Sequence, residues 1–199
     1  MPPRRKAPRK TYHHGDLRNA LLKAAREVLE ERGPSHLGLR EVSRRCGVSA
    51  PSAYHHFPSR DALALGLAEQ GALEMAQCLA VTPGTGNLTL LPYGEAYVAF
   101  AQANPALYRL MFGEGFPEVS RESGAVRELR QRSFDIMKLA LEQRLPAAQV
   151  PIAALFLWAL VHGLGLLLID GQVDTSPAPK DLVHQVLKLA GTGLNETRM

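Results

Sequence analysis

Residues 42–57, VSRRCGVSAPSAYHHF, gather arginines, serines, a tyrosine and two adjacent histidines in one short stretch. These side chains are cations and hydrogen-bonding groups, not an obvious nucleophile and base. The chemistry they suit is contact with phosphate and with base edges. The surrounding residues say how they are positioned. Leu39 and Val42 give a first helix an apolar face. Gly47 stands where that helix must end in a left-handed conformation. Val48 can tuck under the turn. Ser49 is a good N-cap for the next helix, because its hydroxyl can satisfy an orphan backbone N–H. Pro51 falls in that helix's first turn, where no intrahelical N–H bond is lost. This is helix-turn-helix grammar, with a second helix short enough to enter a major groove.

Three pieces extend the pattern: YHHGDLRNALLKAA, LREVSRRCGVS and AYHHFPSRDAL, in that order and spacing. With them, residues 12–67 resemble the N-terminal DNA-binding domain of the tetracycline-repressor-like (TetR) family. Further on, LWALVHGLGLLLIDG at 157–171 resembles one subgroup of the family's ligand-binding domains, with a W-x-x-x-H-G pattern at Trp158, His162 and Gly163. The first match is specific for about a third of the chain; the second is less specific.

The resemblance implies that the helix over 50–56 enters the major groove. It puts Ser49, Ala50, Ser52 and His55 near base edges or the adjacent sugar-phosphate. Tyr54 matches a position whose hydroxyl contacts phosphate. His56 matches a polar position at the DNA surface, or caps a helix end. Arg60 matches a basic position, more often Lys, that meets phosphate at the start of the following helix. Arg40 and Arg44, on the motif's first helix, can touch the DNA backbone. Arg4, Arg5, Lys6, Arg9 and Lys10 can reach a neighbouring groove as a flexible basic arm. Phe57 is expected in the core. Two residues depart from the family's pattern. Gly38 replaces the usual Ser or Thr cap and supplies no hydroxyl. Ala53 is smaller than its usual counterpart, so base contacts are less secure here than backbone contacts.

Charge is distributed unevenly along the chain. Residues 1–60 hold 13 Lys and Arg against 5 Asp and Glu, a net of +8; residues 61–199 hold 10 against 14, a net of −4. A basic front end with an acidic remainder fits a nucleic-acid contact confined to the N-terminus. Hydrophobic residues make up 46% and charged residues 21% of the 199, which excludes global disorder. Cys46 and Cys78 form neither a disulfide framework nor a metal spacing. Each is expected as a small buried apolar residue in a reducing cytoplasm. The basic N-terminus is followed by no apolar core, so no secretory signal is expected. His13 and His14 have no Cys or carboxylate partner at ligand spacing, so neither metal nor cofactor is expected.

The elements read as all-α, about nine helices. Residues 1–10 form a disordered basic arm, 11–60 the helix-turn-helix domain, and 61–199 a helical ligand-binding and dimerisation domain. Helices are expected over 16–32, across the motif at 39–57, and from Ser59 as N-cap to about 79. Further helices cover 90–103, 105–112, about 118–145, 151–169 and 180–190, with a loop at 82–87. Residues 152–169 carry no formal charge and just reach transmembrane length. His162 at the middle and the missing aromatic and basic flanks favour a helix buried between neighbours instead.

One short recognition helix reads few base pairs, so a homodimer on a near-palindromic double-stranded operator is expected. In the family the last two helices of each subunit build a four-helix bundle across the dyad, which makes 152–169 and 180–190 the interface candidates. Gly163 and Gly165 lower helix propensity. Either a close backbone approach or a kink beside a cavity explains them. Candidates for a ligand-pocket wall are Tyr97, Phe100, Tyr108, Met111, Phe112, Phe116, Phe134, Met137, Trp158 and His162. Any of these can equally be plain core. His162, a lone polar group in an apolar run, is a ligand contact or a satisfied core histidine. The expected function is a ligand-responsive repressor with a small, largely apolar effector; the alternative is a constitutive DNA binder. No nucleophile elbow, phosphate loop or zinc motif supports an enzyme.

Overall fold

The computed structural model describes residues 14–80, 90–112, 124–174 and 179–196. The basic arm, the loop at 82–87, His13 and Phe116 lie outside the described residues. The described residues form nine α-helices and one short 3-10 turn, with no strand among them. Helix α1 (His14–Arg32) buries the stripe Leu17, Leu21, Ala25, Val28 and Leu29. Gly33 ends it at φ 78°. The 3-10 turn Pro34–His36 leads into α2 (Leu39–Cys46), and α3 (Ala50–His56) follows. Ser59 Oγ accepts the Ala62 N–H at 3.0 Å and caps α4 (Arg60–Ala80).

Helices α5 (Leu90–Ala103) and α6 (Pro105–Phe112) meet at Asn104-Pro105, where the proline's missing N–H and preset φ suit a helix start. Helix α7 (Gly124–Glu142) stops short of the expected residue 145. Both Arg144 and Leu145 donate their N–H to Leu141 O, a closing turn ahead of Pro146. Helix α8 (Val150–Ile169) ends at Gly171, φ 63°, with Gln172 N–H donating to Leu167 O at 2.9 Å. Helix α9 (Pro179–Glu196) runs past the expected end at residue 190. Gly191 and Gly193 weaken a helix by about 1 kcal/mol each but remove no hydrogen bond, so the helix passes through them.

One apolar core runs through both ends of the chain. It joins Leu21, Val28 and Leu63 near α1 to Tyr108, Met111, Leu164 and Leu187. Helix α4 lies at its centre and packs on α1, α5, α6 and α7, while α5 packs on α8 and α9. The expected boundary at 60/61 therefore falls inside α4's first turn, and α4 belongs to both halves. Gly71 is where α4 meets α6: a Cβ there would lie 2.6 Å from Met111 Sδ and 2.8 Å from Leu107 Cδ2. A smaller cluster of Leu141, Val150, Ala153, Ala154 and Leu157 joins α7 to α8.

Two expectations need correction. Helix α8, with mean hydropathy 2.4, is long and apolar enough to cross a membrane, yet only 33% of its apolar window is buried. Helices α5 and α7 cover one side. The other side leaves Ile152 (66% exposed), Phe156 and Leu167 open, so within one protomer the helix is not enclosed. The cysteines are not both buried. Cys46 is half-buried, its thiol donating to Ala20 O and its pKa raised by desolvation, whereas Cys78 is exposed because it lies off the buried face of α4.

Candidate functional site

The motif is built as its residues dictate. Gly47 takes φ 67°, ψ 28°, and its N–H donates to Arg44 O while Val48 N–H donates to Ser43 O at 3.0 Å. This closure of α2 turns the chain so that Ser49 can cap α3. Ser49 Oγ accepts from Ser52 N–H at 3.4 Å and lies 2.8 Å from Ser52 Oγ. Buried Ala53 and Phe57 hold α3 against the core. The Phe57 ring lies beneath the Arg18 guanidinium, 5.2 Å from its carbon. Gly38 stands at the α2 N-cap with no side-chain hydrogen bond, as its lack of a hydroxyl requires.

All the proposed DNA-facing residues reach the surface. Arg40, Arg44, Ser49, Tyr54, His55 and Arg60 are exposed; Ala50, Ser52 and His56 are half-buried. Some already have partners. Glu41 accepts two bonds from Arg44, at 2.9 and 2.8 Å, and one from Arg45 at 3.3 Å. Those bonds hold the Glu41 carboxyl down at about 2. Arg45 also reaches Glu31 on α1 at 3.0 and 2.5 Å, which locks α2 to α1. Arg60 donates to Pro34 O at 2.7 Å.

A cavity of about 620 Å³ lies in the other half, within the size range of small-molecule sites. Of the expected wall residues, Tyr97, Met111, Phe112, Phe134, Met137, Trp158 and His162 line it. Phe100 and Tyr108 are buried and do not. Tyr108 stands behind the wall. Its hydroxyl lies 2.6 Å from His162 Nδ1 and donates to Tyr97 Oη at 3.1 Å; Tyr97 Oη is 3.3 Å from His162 Nδ1. Burial pushes the Tyr108 phenol well above its ordinary 10, so it stays protonated. His162 is thus not the lone polar group its sequence neighbours suggest. Its partners come from α5 and α6, far away in the chain. Phe112 and Trp158 pack on its ring at 5.0 and 5.8 Å.

Sequence reasoning missed several residues. Tyr93, Arg127 and Gln131 also line the cavity. Their signal was present: Arg127, Gln131, Phe134 and Met137 share one helical face, and Tyr93 lies one turn before Tyr97. No local signal marks the groups that fasten α6. Glu30 of α1 accepts the N–H of Ala106 and of Leu107, both at 3.2 Å, capping α6. Arg26 of α1 bridges Glu74 at 3.0 Å and Asn104 at 2.5 Å. At its other end, α6 pairs Arg109 with Asp170, the residue that caps the end of α8. Gly165 has its close neighbours inside the protomer, with its Cβ position 3.3 Å from Ala101 Cβ, whereas Gly163 has none within 4 Å.

Comparison with known proteins agrees with this architecture. Residues 21–67 match the profile of bacterial regulatory proteins of the tetR family, and residues 90–190 match that of the tetracyclin repressor-like C-terminal domain. YobS of Bacillus subtilis, an uncharacterized HTH-type transcriptional regulator, is 31% identical over 90 residues, 44% of this chain and 47% of that protein. The match thus spans about half the length of that relative. A solved structure of a Rhodococcus sp. RHA1 protein of unknown function superposes with TM-score 0.77 at 29% identity, covering 93% of this chain and 96% of that one. A tetR-family transcriptional regulator from Streptomyces coelicolor gives TM-score 0.71 at 21% identity, over 88% and 78% of the two chains, and shares the fold. The chain belongs to the tetR family of bacterial regulatory proteins, which are DNA-binding regulators of transcription rather than enzymes.

Proposed function

We propose that the chain is a ligand-responsive repressor that binds a near-palindromic operator as a homodimer in the cytoplasm. The observation that carries this reading is α6. Its Met111 and Phe112 line the cavity, and its N-terminus is held by Glu30 of α1. A molecule that fills the cavity pushes on a helix fastened to the DNA-reading half. If it binds one position of α6 better than the other, it shifts the population of DNA-competent dimers.

On DNA, α3 lies in the major groove with Ser49, Ala50, Ser52 and His55 near base edges. Tyr54, His56, Arg40, Arg44 and Arg60 meet the backbone, Arg44 and Arg60 exchanging their present partners for phosphate. The open side of α8, together with α9, forms the dimer interface. Trp158, His162 and Gly163 mark the W-x-x-x-H-G subgroup of ligand domains.

The experiment has two stages. Sequences bound by the full chain are selected from random DNA to give the operator. A thermal-shift screen of metabolites then gives a ligand, and operator affinity is measured with and without it. At a hundred times its dissociation constant, a ligand adds about 2.7 kcal/mol of stability. The expected result is a thermal shift accompanied by weaker operator binding. A ligand that stabilises the protein and leaves operator affinity unchanged overturns the coupling and favours a constitutive DNA binder.

A further inference from the structure

We infer that the cavity selects an organic anion: a carboxylate or comparable acid on an apolar body, with Arg127 as its counter-ion. This rests on the cavity being a ligand site. Among the described residues lining it, Arg127 alone carries a formal charge, and no Asp or Glu joins it. None of the ion pairs among the described residues uses Arg127, although Arg132 on the same helix pairs with Glu128 at 2.9 Å. Arg127 is exposed and stands where the wall meets solvent.

The arrangement of the wall gives the ligand's shape. Arg127 and Phe134 lie on one face of α7, about 10 Å apart along its axis at 1.5 Å per residue. Beyond Phe134, the Trp158 ring follows at 6.4 Å, then His162 at 5.8 Å from Trp158. The cation is therefore at one end, and a sleeve of aromatic, Met and Leu side chains continues from it. A neutral apolar occupant strips water from the guanidinium and returns nothing. An anionic head replaces that water with a charge-assisted pair. A cationic head meets repulsion from Arg127 and, among the described residues of the wall, no carboxylate.

Three probes with one ten-carbon tail test this: decanoate, 1-decanol and decyltrimethylammonium. Trp158 is the sole tryptophan and lies on the wall, so its fluorescence reports occupancy in the full-length protein. Decanoate is expected to bind about tenfold more tightly than decanol, the increment of one partly solvated charged pair, and the ammonium most weakly. Arg127→Gln should abolish the preference for decanoate, and Arg132→Gln, with the same change of charge off the wall, should retain it. In the wild type, added salt should weaken decanoate and leave decanol unchanged, a readout that needs no variant. Equal binding of decanoate and decanol overturns the anion assignment and leaves the ligand site standing. Silence from all three probes overturns the ligand site itself, and this inference with it.

Discussion

Tyr108 Oη lies 2.6 Å from His162 Nδ1, and this contact ties α6 to α8 directly behind the cavity wall. It decides what His162→Leu does. The substitution puts an apolar side chain into an apolar helix, but it also leaves the buried Tyr108 hydroxyl with Tyr97 alone. The expected cost is about 1 kcal/mol, with the fold kept. The larger effect falls on ligand response, because α6 loses the polar link to α8 that lies at the cavity wall, keeping only the pair of Arg109 with Asp170. Operator binding with and without ligand, for both proteins, checks this. A variant that responds like wild type shows His162 to be structural only.

The fold was legible where its signals are local. Helices α5 and α6 run over 90–103 and 105–112 as expected, because Asn104-Pro105 marks their junction within the sequence. The turn of the motif was legible for the same reason: Gly47, Ser49 and Pro51 each have one conformational use there. Features that depend on distant partners were not. Glu30 and Leu107 are 77 positions apart, and no periodicity connects them. The neighbours of His162 and the open side of α8 depend on which helices pack against α8. Arg127 was a middle case, because its cavity-facing register was readable but the cavity's other walls were not.

Acid should loosen the ion pairs within α2. Hydrogen bonds from Arg44 and Arg45 lower the Glu41 carboxyl from the ordinary 4.5 to about 2. A carboxylate with a depressed folded-state pKa stabilises the fold above its unfolded value and loses that contribution as pH falls through the folded one. The difference in denaturation midpoint between wild type and Glu41→Gln should be constant above about pH 5. It should shrink from pH 4.5 and be lost as pH falls through about 2. A difference that persists unchanged at pH 2 removes the ion-pair account.

Gly71→Ala should strain the contact between α4 and α6. The new Cβ would stand 2.6 Å from Met111 Sδ and 2.8 Å from Leu107 Cδ2, so both side chains must move. Overpacking of this kind costs roughly 1–3 kcal/mol. Alanine's better helix propensity offsets only part of it, at about 1 kcal/mol. Met111 also lines the cavity, so ligand affinity should fall along with thermal stability. Gly38→Ala, with no atom within 4 Å of its Cβ position, is the matched control for ligand affinity.

Glu30→Ala tests the link from the cavity to the DNA-reading half. It removes the acceptor of two α6 N–H groups, a capping loss of about 0.5–2 kcal/mol. Ligand affinity should change little, since Glu30 does not line the cavity. The ratio of operator affinities without and with ligand should move toward one. Coupling is reciprocal, so the ligand should also become less sensitive to bound operator. An unchanged ratio would route the coupling through another contact, such as Arg26 with Glu74.

Gly163→Leu separates dimerisation from folding. Beyond its own stretch of helix, no atom of the described protomer lies within 4 Å of a Cβ built at this position, so the isolated subunit has room for a side chain. Leucine also improves helix propensity by up to about 1 kcal/mol. A protomer judged alone should therefore be no less stable with leucine. Gly163 nevertheless shares α8 with the exposed Ile152, Phe156 and Leu167, the side proposed to meet a second subunit. Bulk placed there should weaken a tightly packed interface by roughly 1–3 kcal/mol. Sedimentation equilibrium should show a raised dimer dissociation constant, and circular dichroism an unchanged helix content. Operator affinity should fall although every DNA-facing side chain is intact, because two half-sites must be held at once. A wild-type protein that sediments as a monomer at micromolar concentration removes the dimer. A leucine variant that dimerises and binds operator like wild type moves the interface off this part of α8.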